Sequence, residues 1–228
     1  MHTPAPRLVI FDCDGVLIDS EIIAARAQSS ALAEYGIAIT PEEAALRFAG
    51  IPDADMWRTL QAEHACALPE GFARQYADRL DRTFRTELRP LPHVHETLKV
   101  LKDRGLDLCV ASSSMPAKLE AALKMVGLWE SFAPHVFSTA QVAKGKPAPD
   151  VFLYAARQMR AAVLDCVVVE DSVPGVRAAR AARMRAVGFV GASHNGPQQR
   201  QRLLDEGAFE VIDDLRRLPE IIRGLLRP

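Results

Sequence analysis

Two rhythms of apolar residues run along the chain. Short, mostly apolar runs at Val9 to Phe11, Asp107 to Ala111, Cys166 to Val169 and Arg185 to Val190 read as strands buried on both faces, with shorter ones at Val136-Phe137 and Glu210 to Ile212. Between them the apolar positions recur every three or four residues. That spacing predicts helices over about 20–35, 41–50, 53–65, 71–86, up to 104, 116–126, 149–159, 174–183 and 197–206, and one at the C-terminus. Local signals agree: Ser20 is a candidate N-cap, Gly36 a stop, and Thr40-Pro41-Glu42-Glu43 a capping box with proline at the first helical position.

No strand is predicted between Ser20 and Thr86, whereas strand and helix alternate after Arg89. Alternation of this kind implies a parallel sheet covered on both faces. The expected architecture is therefore α/β: a doubly wound, Rossmann-like core over residues 1–19 and 87–228. An all-helical cap, residues 20–86, is inserted after the first strand, and the proline-rich Arg89 to Pro92 is the return hinge. A helical lid inserted there would cover whatever lies at the end of that strand.

Composition narrows the function classes. Hydrophobic residues are 49%, charged residues 25% and the formal net charge is −1, which gives no reason to expect nucleic acid or an anionic membrane as partner. No apolar run approaches the roughly 18 to 20 residues that span a bilayer. Cys13, Cys66, Cys109 and Cys166 form no C-x-x-C pair, which disfavours a zinc site and suits a reducing compartment. A cytoplasmic monomer acting on a small molecule is expected.

The candidate chemistry sits where strands end. Asp12-Cys13-Asp14-Gly15 closes the first strand with two acids on one side, suited to a divalent cation or equally to a solvated turn. Ser112, Ser113 and Ser114 follow the second strand, where they are an anion site or an ordinary helix cap. Lys146 is held between Gly145 and Pro147, and Glu170-Asp171 close the Cys166 to Val169 strand. In an open α/β sheet ligands bind outside the carboxyl ends of the strands, so these groups converge. Carboxylate oxygens suit Mg²⁺, and a hydroxyl and an ammonium suit phosphoryl oxygens: the set describes phosphoryl transfer.

The four segments Asp12-Cys13-Asp14-Gly15-Val16, Ala111-Ser112-Ser113-Ser114, Lys144-Gly145-Lys146-Pro147-Ala148-Pro149-Asp150 and Val169-Glu170-Asp171-Ser172-Val173-Pro174-Gly175 together resemble the haloacid dehalogenase superfamily, in its capped phosphatase and phosphomutase branch. The resemblance implies Asp12 as nucleophile and Asp14 as general acid/base, with Ser112, Ser113 and Lys146 holding phosphate. It also implies Mg²⁺ held by Asp12, Asp171, the Asp14 backbone carbonyl and, through water, Glu170. Lys144 is expected on the surface. Mutases of the β-phosphoglucomutase group carry a histidine where this chain has Ala24 and an arginine where it has Asp53, so hydrolysis is expected over transfer to a sugar.

Asp12 to Gly15 with Asp19-Ser20-Glu21, and Arg47-Phe48-Ala49-Gly50, look most like sugar-phosphate phosphatases of the 6-phosphogluconate phosphatase type. Gly50, Arg47 and Arg58 are the cap residues that could meet such a substrate. A β-phosphoglucomutase, a phospho-accepting signalling domain and a non-catalytic phosphometabolite binder are the competing readings.

Overall fold

The computed structural model describes residues 7–48 and 53–225. The chain divides into two compact units, Met1–Ile18 with Pro90–Pro228, and Asp19–Arg89. The first is built on β1 (Leu8–Phe11), whose chain leaves for the helices α1 (Ser20–Ala33), α2 (Pro41–Phe48), α3 (Asp53–His64) and α4 (Phe72–Glu87). It resumes with α5 (Val94–Asp103), β2 (Asp107–Ser112), α6 (Pro116–Met125), α7 (Trp129–Phe132) and β3 (Val136–Ser138). Then come α8 (Asp150–Gln158), β4 (Cys166–Glu170), α9 (Val173–Ala181), β5 (Arg185–Phe189), α10 (Gln199–Asp205), β6 (Glu210–Ile212) and α11 (Leu218–Leu225). Departure and return lie side by side, because Ile18 and Pro90 form an antiparallel bridge.

All strand pairs are parallel, in the order β3-β2-β1-β4-β5-β6. β1 is thus central, and every residue of β1 and β4 is buried, as their unbroken apolar runs require. One face, carrying Leu8, Ile10, Cys109, Ala111 and Val168, packs on Val151, Phe152 and Ala155 of α8 and on Val176, Ala178 and Ala179 of α9. On the other face Phe11 meets Phe132 edge-on, with ring centres 6.0 Å apart. Burial pushes the Cys13 and Cys109 thiols well above their usual range, so they serve as apolar filling. Among the described residues no helix is long and apolar enough to cross a membrane.

The helical unit has its own core, in which Ala27, Ala31, Leu32, Ile37, Met56, Leu60, Phe72 and Tyr76 meet. Trp57 lies edge-on to Phe72 and Tyr76, at 5.1 and 5.6 Å between ring centres. The Thr40 hydroxyl accepts from the Glu43 N–H at 3.1 Å, the first half of the expected capping box. Gly36, at φ 77°, ends α1, and the Ile37 N–H returns to the Leu32 carbonyl at 3.1 Å.

Two local expectations are corrected. Asp19, not Ser20, occupies the N-cap of α1, and its side chain makes no cap bond; Ser20 is instead buried in the first turn. The helix Trp129–Phe132 has no counterpart in the sequence pattern, because four residues are too few to display a helical period. The expected end of the second helix near Gly50, and Gly50 itself, lie outside the described residues.

Candidate active site at the carboxyl edge of the sheet

The strand register brings the acids together. Phe11 pairs with Val110 on one side and Val169 on the other, so Asp12, the next residue, stands level with Ala111 and Glu170. Parallel strands of equal register end at one level, and their first polar residues face one space. Asp12, Glu170 and Asp171 are all buried, and one ligand oxygen from each lies within 4.8 Å of the others.

Lys146 enters this cluster from the loop before α8. Its Nζ donates to Asp12 Oδ1 and to Glu170 Oε1 at 2.6 Å each, and to the Ala111 carbonyl at 3.1 Å. Glu170 is tied at both oxygens: its Oε2 also accepts from the Ser172 N–H at 3.0 Å and from the Ser172 hydroxyl at 2.8 Å. The Ser172 oxygen in turn caps α9 by accepting from the Gly175 N–H at 3.1 Å. A Cβ on Gly175 would lie 1.9 Å from the Glu170 carboxylate, so only glycine leaves room for that acid. Gly15, at φ 80°, does the same for Asp171, whose Oδ2 would lie 2.0 Å from a Cβ there.

Asp14 stands apart from these three acids. It is half-buried, and its Oδ2 accepts from the Ser114 hydroxyl at 2.7 Å. The Ser114 carbonyl accepts from the Ser138 hydroxyl at 2.7 Å, which fixes the serine loop against β3. Ser112 is buried, and its oxygen accepts from the Ser114 N–H at 3.1 Å, leaving its own proton available to a phosphoryl oxygen. Ser113 is exposed, as is Lys144. The two arginines singled out in the helical unit are engaged by neighbouring acids: Arg47 by Glu43 and Glu63 at 2.8 and 2.6 Å, Arg58 by Asp55 at 2.9 Å.

Three residues near the cluster were not anticipated from the sequence, besides the pairing of Ser114 with Asp14. Ser172 is one. The others, His194 and Gln199, follow β5: His194 Nε2 lies 3.1 Å from Asp171 Oδ2, and Gln199 Nε2 donates to the Asp171 carbonyl at 2.6 Å. The rule that sites form outside strand ends, applied also to β5, would have pointed to this loop.

The electrostatics follow from burial. Desolvation raises the Asp12 carboxyl well above the usual range; Lys146 opposes this, and the Glu170, Asp171 and Asp14 charges add to it. Desolvation also raises Asp171, against the bond from His194. Burial alone would lower the Lys146 ammonium, but Asp12 and Glu170 outweigh it and hold Lys146 above its usual value. Three buried carboxylates therefore share one ammonium and, when ionised, carry a net double negative charge. Hard oxygen donors with that excess fit a divalent cation.

A pH effect follows. A folded-state pKa raised above the unfolded value stabilises the protein below the unfolded pKa, here 3.8 for aspartate, and that stability is lost as pH rises through the folded value. A divalent ion competes with those protons. In thermal melts between about pH 5 and pH 8, the rise in Tm produced by Mg²⁺ over EDTA is expected to grow with pH. A rise of constant size across that range would contradict the charge excess.

A family model of haloacid dehalogenase-like hydrolases matches residues 6–183. The 6-phosphogluconate phosphatase of Escherichia coli is 30% identical over 190 residues, covering 83% of this chain and 85% of that protein. Hexitol phosphatase B of the same species is 36% identical over 194 residues, 82% of this chain and 85% of that one. Among solved structures, a haloacid dehalogenase family hydrolase from Deinococcus radiodurans with bound phosphate and sodium superposes with a TM-score of 0.86 at 31% identity, covering 99% of both chains. With a matched family model over most of its length and phosphatases among its relatives, the chain belongs to the haloacid dehalogenase-like hydrolase family and is an enzyme of its phosphatase class.

Proposed function

We propose that this protein is a Mg²⁺-dependent phosphomonoester hydrolase acting on a small phosphorylated sugar or sugar acid, of which 6-phosphogluconate is one example, through an aspartyl-phosphate on Asp12. The observation that carries this reading is the division of the two aspartates: Asp12 joins the buried acids and Lys146, whereas Asp14 is held outside them by Ser114. Two carboxylates in different surroundings can take different parts in one reaction.

Asp12, Asp171 and the backbone carbonyl of Asp14 would hold the metal, with Glu170 acting through water, since both of its oxygens already accept hydrogen bonds. Bound there, a divalent ion offsets the repulsion between an anionic nucleophile and a phosphate dianion. Lys146 and Ser112 supply donors to the phosphoryl oxygens, and Lys146 holds the Asp12 carboxylate in one orientation for attack on phosphorus. Asp14 protonates the departing alkoxide and then takes a proton from the water that cleaves the acyl phosphate. The helical unit acts as the cap that selects substrates.

Ala24 and Asp53 offer no imidazole or guanidinium to hold the phospho-enzyme for a sugar hydroxyl; Asp53 instead accepts from Gln28 Nε2 at 3.2 Å. Water is then the acceptor. The test is release of phosphate from p-nitrophenyl phosphate and a panel of sugar phosphates, 6-phosphogluconate and hexitol phosphates included, in Mg²⁺ and in EDTA. Turnover in Mg²⁺ alone, with a preference for sugar or sugar-acid phosphates, is expected. Conversion of β-glucose 1-phosphate to glucose 6-phosphate faster than its hydrolysis would replace hydrolase by mutase.

A further inference from the structure

The loop after β5 bears on Asp171 at two points. It leaves the sheet with the Val190 N–H bonded to the Ile212 carbonyl at 2.8 Å. It then bends at Gly191, where a Cβ would lie 2.3 Å from the Asp213 carbonyl oxygen and 2.5 Å from the Phe189 ring. An Asn195 N–H to Ala192 carbonyl bond of 3.1 Å closes the turn that carries His194, and the Gln199 N–H returns to Gly196 at 3.0 Å. The loop is thus braced on both sides of the imidazole, and His194 does not swing on a free segment.

His194 Nε2 reaches Asp171 Oδ2 at 3.1 Å, while Gln199 takes the Asp171 backbone carbonyl. The same ring borders the space above Gly15: a Cβ at that glycine would lie 2.9 Å from His194 Cε1 and 2.0 Å from Asp171 Oδ2. The glycine, the carboxylate and the imidazole are therefore packed as one layer built from the ends of β1, β4 and β5. Carboxylates that bind metals depend on such partners to hold their orientation, and removing one costs about 10- to 100-fold in metal affinity.

We propose that His194 is a positioning residue that presents Asp171 to the divalent metal, donating its Nε2 proton to Oδ2 and so setting the affinity for the ion. This rests on the reading of Asp171 as a metal ligand. One tethered oxygen restricts rotation of the carboxylate about its Cβ–Cγ bond, so less freedom would be lost when the ion binds. Glutamine can place an N–H donor near the position of Nε2, and alanine cannot, so His194→Gln and His194→Ala separate donation from mere filling of space.

The experiment is Mn²⁺ titration of the substrate-free protein, read as loss of the free-ion paramagnetic resonance signal, on wild type and both variants, with Mg²⁺ activation curves in parallel. His194→Ala is expected to weaken Mn²⁺ binding about 10- to 100-fold, with the loss falling on the Mg²⁺ concentration for half-maximal activity more than on kcat. His194→Gln is expected to recover most of the affinity. Wild-type Mn²⁺ binding by His194→Ala overturns the positioning role. So does equal weakening of both variants with far greater loss for Co²⁺ than for Mg²⁺, the pattern of an imidazole that binds the ion itself. Absence of Mn²⁺ binding by the wild type overturns instead the assignment of Asp171 as ligand, and the proposal with it. Circular dichroism of each variant separates these outcomes from failure to fold.

Discussion

Asp12→Asn is expected to lower metal-dependent phosphate release by at least about 10³-fold while leaving a folded protein, because it removes the attacking oxygen with little change in shape. The carboxamide still fits beside Lys146, which keeps Glu170 and the Ala111 carbonyl as acceptors at 2.6 and 3.1 Å. It also removes one of the three like charges crowded at the strand ends. The metal-free variant is therefore expected to melt no lower than wild type at neutral pH, although its activity is gone. Loss of activity with retained or increased stability is what distinguishes a nucleophile from a structural acid. Comparable turnover by Asp12→Asn and wild type would remove Asp12 from the mechanism and leave Asp14 as the acid to examine.

Lys146→Met is expected to damage both activity and metal-free stability. Methionine matches the unbranched stem of lysine, so the change is mainly one of charge. In wild type the ammonium is nearly enclosed, with side-chain exposures of 5% for Lys146, 10% for Asp12 and 1% for Glu170. Without it, acids buried at the sheet edge have no counter-charge, and breaking a buried pair in this way costs about 3–5 kcal/mol. That cost holds only where the acids are ionised. As pH falls they take up protons in the folded state, so the variant's deficit relative to wild type should shrink from about pH 8 to about pH 5 in EDTA. Urea unfolding at both ends of that range measures it, and a deficit independent of pH would mean that Lys146 matters for packing rather than charge. Activity should fall by about 10² to 10³-fold, the usual loss for one donor to a developing phosphoryl charge, and added Mg²⁺ should not restore it.

Gly15 and Gly175 show how closely this arrangement depends on what is missing from a side chain. Each stands where a single carbon would collide with an acid of the cluster, Asp171 in one case and Glu170 in the other. They lie just beyond β1 and within the first turn of α9, so the turns that end the two central strands also make the space the acids occupy. Fold and site share these residues.

The chain's own pattern determined a good deal. Strands buried on both faces must be continuous apolar runs, and Val9 to Phe11 and Cys166 to Val169 are therefore visible without coordinates. The alternation of such runs with helical periods implies a parallel sheet, and strand ends in such a sheet share one edge. That is why Asp12, Lys146, Glu170 and Asp171 could be named together from positions as far apart as 12 and 171. Features whose cause is local were legible as well, such as the Gly36 stop of α1.

Tertiary structure alone decided the partners. The Ser114 hydroxyl and the Asp14 carboxylate are 100 positions apart, and nothing in either neighbourhood distinguishes Ser114 from Ser112 and Ser113. Their meeting depends on the register of β1 against β2. His194 and Gln199 lie in a polar loop with no periodicity, and their approach to Asp171 depends on β5 lying beside β4 and on the sharp bend at Gly191. Hydrophobic patterning records which face of an element is buried, an average over many contacts. A single hydrogen bond between distant loops leaves no such average, so the candidate ligands were legible and the groups that hold them in place were not.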